Sequence, residues 1–158
     1  MAGEVARIIT RTIRETVIDP AHATRAETPE FRATKKRLRA DGHYRCYVCG
    51  TVDGIQIHHR AAEWMFAADV DYPLLKDFCE EWDVYGYGRL LKAQPVTSVD
   101  DVRNAMALCV SHHIGVDHAD GDSGTGIHEM TFPAWIMQKL ARKGADPVPQ
   151  DGLPAPQP

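Results

Sequence analysis

Two short ligand pairs, Cys46-x2-Cys49 and Cys109-x2-His112, constrain this chain more than any other feature of its sequence. Three thiolates and an imidazole in a tetrahedral array suit Zn²⁺, and four protein ligands leave no coordination position for a substrate. The spacing therefore predicts a structural zinc site that ties a turn at 46–49 to a second one at 109–112. Zinc held in this way contributes on the order of 10 kcal/mol to folding.

The 158 residues suffice for one domain with a real core plus tails, and 44% apolar with 25% charged residues is ordinary for a globular protein. No run of about 18 apolar residues occurs, so no membrane-spanning helix is expected. The charged start MAGEVARIITRTIRE lacks a signal-peptide core. The expected location is therefore the cytoplasm, where closely spaced cysteines bind metal more often than they form disulfides. The net charge of −4 is unevenly spread: residues 1–45 carry ten Lys/Arg against six Asp/Glu, and the remainder eight against sixteen. A local basic patch can still grip phosphates, because surface charges more than about 10 Å apart are largely screened.

Val5, Ile8, Ile9, Ile13 and Val17 recur at helical spacing, predicting an amphipathic N-terminal helix and linker over 1–27, with homodimerisation as one use of its face. A second helix should start at Thr28-Pro29, with Thr28 as cap, and stop at Asp41-Gly42. It presents Arg32, Lys35, Lys36, Arg37 and Arg39, with Arg45 just beyond, as a candidate DNA-binding face. Residues 44–48 and 54–59 are expected to pair as a tight hairpin around the first knuckle, with Ile55 and Ile57 on its buried face. By that alternation His58 and His59 point to opposite faces, and only a strand end lets both serve one site.

Residues 61–103 form an acidic insertion with its own apolar residues, helical near 61–68 and 73–82. Trp64, Phe66, Leu74, Leu75, Phe78 and Trp82 are its expected core, and Cys79 a buried free thiol. A brief strand should lead from Ala105 to Cys109, followed by a short helix from His112 to about His118. Pro133 opens a last helix, and the proline-rich stretch 144–158 cannot build a core. The expected class is α+β, with one domain over 28–143.

Three histidines, His58, His59 and His113, flank the zinc pairs without being needed by them. Two imidazoles can hold a divalent ion against a phosphate, and a third can take a proton from water near neutral pH. Phosphodiester hydrolysis is the reaction such a set suits.

The succession LRADGHYRCYVCG, IQIHHR and NAMALCVSHH resembles the HNH endonucleases of phages and bacteria, over about residues 29–62 and 98–118. The resemblance implies a ββα-metal core, with His59 as the general base that activates water. It implies His58 and His113 as ligands of a catalytic metal, Mg²⁺ or another divalent ion, and Asn104 as the residue that orients the base or supports the metal loop. It also implies DNA as the substrate and, for a phage enzyme, packaging or recombination proteins as partners. The chain departs from the family in having His112 where many members have cysteine and in its long 61–103 connection. His118 and His128 lie near or beyond the motif. Two alternatives stay open: a zinc-stabilised binding module without catalysis, and a metalloenzyme of another class using the insertion as a lid.

Overall fold

This computed structural model describes residues 26–114, 126–129 and 132–145, together with Thr10 and Thr12. The expected N-terminal helix, His118, the 120–125 loop and the proline-rich tail from 146 onward lie outside the described residues. The architecture is mixed α+β, helices around a two-stranded sheet.

Helix α1, Pro29–Ala40, starts as its sequence dictates. Thr28 is extended, its Oγ1 accepts the Phe31 N–H at 3.0 Å, and Pro29 occupies the first turn, where no N–H is required. Phe31, Thr34 and Leu38 face inward, and the chain leaves through Gly42 at φ +77°, a conformation that favours glycine.

Strand β1, Ile55–His59, pairs antiparallel with β2, Ala105–Cys109, from Ile55 opposite Cys109 to His59 opposite Ala105. The hairpin expected between 44–48 and 54–59 does not form. The first knuckle instead closes on itself: the Gly50 N–H donates to Cys46 O and the Cys46 N–H to Thr51 O, each at 2.8 Å. A segment that turns two thiols toward one point cannot also run extended, so β1 finds its partner beyond the insertion. One backbone bond, Tyr47 N–H to Ala107 O at 2.8 Å, fastens the knuckle to the edge of β2.

Alternation gives the sheet two unlike faces. Ile57, Ala105 and Ala107 pack with Phe31 and Leu38 of α1, and with Tyr87 and Val102. Gln56 and His58 face the other way, toward α4, Val110–Ile114, and a 3₁₀ turn at Ile127–Glu129.

The insertion builds a second core. Helix α2, Tyr72–Glu81, is capped by Asp71, whose Oδ1 accepts the Leu74 N–H at 3.0 Å. Its Leu75, Phe78 and Cys79 pack with Phe66, Val70 and, from α5, Phe132–Leu140, with Ile136, Met137 and Leu140. Leu74 and Trp82 are exposed, contrary to expectation, because the buried face follows 75, 78 and 79 and Trp82 is already the C-cap. Cys79 is a buried free thiol whose pKa burial pushes up to about 11. Short helix α3, Tyr87–Leu90, lies so close that a Cβ at Gly88 would sit 2.6 Å from Cys79 O, which only glycine tolerates. Arg103 closes the insertion, donating to Leu91 O, Gln94 O and Pro95 O while Asp101 balances its charge.

Candidate metal centres

Cys46, Cys49, Cys109 and His112 meet at one point, each offering a ligand atom within 4.8 Å of the others. Cys46 Sγ lies 3.5 Å and Cys109 Sγ 3.2 Å from His112 Nδ1, and Cys49 Sγ lies 3.9 Å from Cys109 Sγ. Tetrahedral ligands at zinc–sulfur and zinc–nitrogen distances of about 2.3 and 2.1 Å stand roughly 3.5–3.8 Å apart, so the donor set fits zinc. A sulfur separation of 3.9 Å also excludes a disulfide. Burial opposes the Cys46 thiolate, but backbone N–H groups of Cys109, Cys49 and Val48 outweigh it and bring the pKa down to about 6. This is a candidate metal site consistent with zinc, at the Ile55–Cys109 end of the paired strands.

A second group forms where β1 faces α4. His58, His113 and His128 bring three imidazoles within 4.8 Å of one another. His113 Nε2 and His128 Nε2 are 2.9 Å apart. The His58 ring stands edge-on to both, with centroids at 5.2 and 4.8 Å. Two nitrogens bound to one ion at about 2.1 Å and at right angles lie about 3 Å apart, close to the observed spacing. The His113 Nδ1–H donates to Gln56 Oε1 at 2.5 Å, which turns the Nε2 lone pair inward. His58 Nδ1 lies 3.6 Å from Glu63 Oε1, while its Nε2 is buried without a hydrogen-bond partner among the described residues. A buried orphan nitrogen is costly unless something else fills its lone pair. Burial, reinforced by the neighbouring histidines, depresses His58 to about 3 and His113 to about 4. Both are therefore neutral at pH 7 and able to bind a cation.

His59 has different surroundings. It points to the α1 face, 3% exposed, stacked on the Phe31 ring with centroids 4.8 Å apart. Its Nε2 lies 2.7 Å from Asp100 Oδ1, and the Thr28 hydroxyl donates to Asp100 Oδ2 at 2.6 Å. The strand runs through His59, so the two adjacent histidines stand on opposite faces as alternation requires.

Asn104 is completely buried between these elements. Its Oδ1 accepts the N–H groups of Ala61 and Ala62 at 3.0 and 3.2 Å, and its Nδ2 donates to Ala62 O and Val99 O. This explains why 61–68 is not the expected helix. The Ala62 carbonyl, which a helix would pair with the Phe66 N–H, is taken by Asn104 Nδ2. Phe66 donates to Glu63 O instead, and only Trp64–Phe66 makes a 3₁₀ turn.

The basic residues of α1 divide by what they touch. Lys35 pairs with Glu27 at 2.6 Å and Arg37 with Asp41 at 3.4 Å. Arg32 donates to Glu27 O, and Arg39 lies over the Tyr44 ring at 4.0 Å. Lys36 and Arg45 are exposed with no ion-pair partner among the described residues.

No local pattern marks Asp100, Glu63 or Gln56 for a role, and His128 lies near or beyond the motif. Asp100 and Glu63 are single carboxylates in an acidic stretch, and fourteen residues with no period separate His128 from His113. No protein-family model, curated protein or solved structure matches this chain.

Proposed function

We propose that the chain is a metal-dependent HNH-type endonuclease, with a ββα-metal core, that hydrolyses DNA phosphodiester bonds. The observation that carries the proposal is the convergence of His58, His113 and His128 on one face of the paired strands, with His58 Nε2 buried and unpartnered among the described residues. In this reading the four knuckle residues hold structural zinc. The three imidazoles hold Mg²⁺ or, better suited to nitrogen ligands, a transition ion. When bound, the ion supplies positive charge that neutralises the scissile phosphate and its leaving oxygen. His59 is the proposed proton acceptor of the attacking water, with the Asp100 carboxylate orienting its ring and stabilising the charged form. Because it faces away from the three imidazoles across β1, the end of the strand has to open for both to meet one phosphate. Asn104 holds the turn at 61–62 in place, and the basic face of α1 binds phosphates.

One observation favours a second reading: the stack on Phe31 and the 3% exposure of His59 close it to bulk water. On that reading the chain is a zinc-stabilised HNH-like module that binds DNA or protein without cutting it. Incubation of supercoiled plasmid with the full chain and added Mg²⁺, Mn²⁺ or Ni²⁺ separates the two. Nicked or linear product that disappears in His58→Ala supports the nuclease. DNA binding with no product under any of the three ions supports the module.

A further inference from the structure

Beside the histidine cluster lies a cavity of about 610 Å³ whose walls come from three parts of the chain. Met106, opposite His58 in the strand register, and Ile127, next to His128, form the side shared with the cluster. Tyr47 of the first knuckle and Trp82 at the end of α2 form the other sides, and both side chains are more than half exposed, at 55% and 51%.

The cavity also contains a charge. Arg60, one residue past β1, is 2% exposed, and its Nε donates to Arg103 O at 3.0 Å. That bond and the Phe78 ring, 5.7 Å from the guanidinium carbon, hold the group in place, while the Nη1 and Nη2 hydrogens meet no acceptor among the described residues. Neither Nη nitrogen is among the buried unpartnered atoms of the described residues, so both are reachable from the cavity by an acceptor from outside. Asp83 and Glu81 line the same cavity. Asp83 already accepts the Gly88 and Arg89 N–H groups at 2.9 Å, and Glu81 faces Lys139 at 3.5 Å. Two carboxylates beside one arginine disfavour a bare phosphate. They favour a planar ligand that offers acceptors to Arg60 and donors to the carboxylates, with faces for the aromatic rings.

We infer that this cavity receives one unstacked nucleobase of the substrate strand, stacked on Trp82 or Tyr47 and held at its edge by Arg60. The inference rests on the DNA-cleaving reading and gives the acidic insertion a role, because its α2 end supplies the stacking wall and the carboxylates. A nucleobase fits well within the cavity, which is of the size of ordinary small-ligand sites. Its nearness to the histidine cluster places the base next to the phosphate to be cut.

The test uses the full zinc-loaded chain and short single-stranded DNA, with no added divalent ion, so that binding is read without cleavage. The oligonucleotide is made abasic at one position at a time. Wild type should lose roughly 5- to 150-fold in affinity at one position, the range of a single base–aromatic stack. Trp82→Ala, taken with its melting temperature because the ring also lies 5.6 Å from that of Phe78, should bind the intact strand that much more weakly and ignore the abasic position. Tyr47→Ala and Arg60→Lys read the other two contacts. Wild-type indifference to every abasic position, or wild-type affinity in all three variants, overturns the inference. Plasmid cleavage is scored separately. Cleavage without base sensitivity rejects the base pocket alone, and base sensitivity without cleavage rejects the nuclease reading alone.

Discussion

His59 Nε2 and Asp100 Oδ1 lie 2.7 Å apart inside the protein, and the same carboxylate takes the hydroxyl of Thr28, the residue that caps α1. The histidine proposed as base and the start of the basic helix thus share one acceptor. Asp100→Asn should therefore act in two ways. It should cut the cleavage rate by roughly 10²–10⁴-fold, as His59→Ala should, and lower stability by about 1–3 kcal/mol through the loosened Thr28. Single-turnover rates beside urea midpoints check both. Wild-type rates in the two variants would remove this pair from the chemistry.

Cys46→Ser and Cys109→Ser should each release zinc and expose the apolar residues around it, while His58→Ala should keep it. Metal content by mass spectrometry, with thermal unfolding on the same samples, measures this. A serine variant that holds one zinc and melts like wild type would refute the four-ligand assignment.

The depressed histidines make stability fall with acid. Near pH 5 the unfolded chain carries protons on both His58 and His113, while the folded chain, at about 3 and about 4, does not. The unfolded state binds more protons, so stability rises with pH. The contribution is lost as pH falls from about 6.5 toward 3. With zinc in the thiolate site and no other divalent ion, His58→Gln/His113→Gln should show a shallower acid slope than wild type. Identical slopes from pH 7 to 4 would show that these imidazoles do not titrate as buried groups.

Asn104→Ala should destabilise by roughly 2–4 kcal/mol, because it strands several buried backbone groups at once. Asn104→Asp keeps the acceptor for Ala61 and Ala62 and loses the donors to Ala62 O and Val99 O. Its denaturant midpoint should fall between those of wild type and Asn104→Ala.

Lys36 and Arg45, with no ion-pair partner to give up among the described residues, should matter more to DNA binding than Lys35 or Arg37. Replacing either with Ala should reduce the slope of log affinity against log salt by about 1. A salt titration that leaves the slope unchanged would direct the DNA elsewhere.

The features readable from sequence were those whose cause is local. Thr28-Pro29 announces a helix start because capping is settled within four residues. The four candidate zinc ligands are visible because each pair is spaced by the geometry of a turn. The partner of β1 lies far along the chain: even the nearest pair in the register, His59 and Ala105, is 46 positions apart. No local pattern reports such a pairing. His128 was hidden for the same reason. Hydrophobicity alone places Trp82 in the core, although the apolar face of α2 has already passed it.

The candidate zinc ligands also bear on how the chain reaches its fold. Two come before β1, one ends β2 and one lies on α4, so a metal bound there would close a loop that contains both strands and the whole insertion. Closing a loop of about sixty residues costs entropy that antiparallel pairing of five residues repays only after the ends have met. A metal ion that captures both knuckles in the unfolded chain brings those ends together beforehand. Refolding should then be faster with zinc present from the start than with zinc added late, and the difference should vanish in Cys49→Ser.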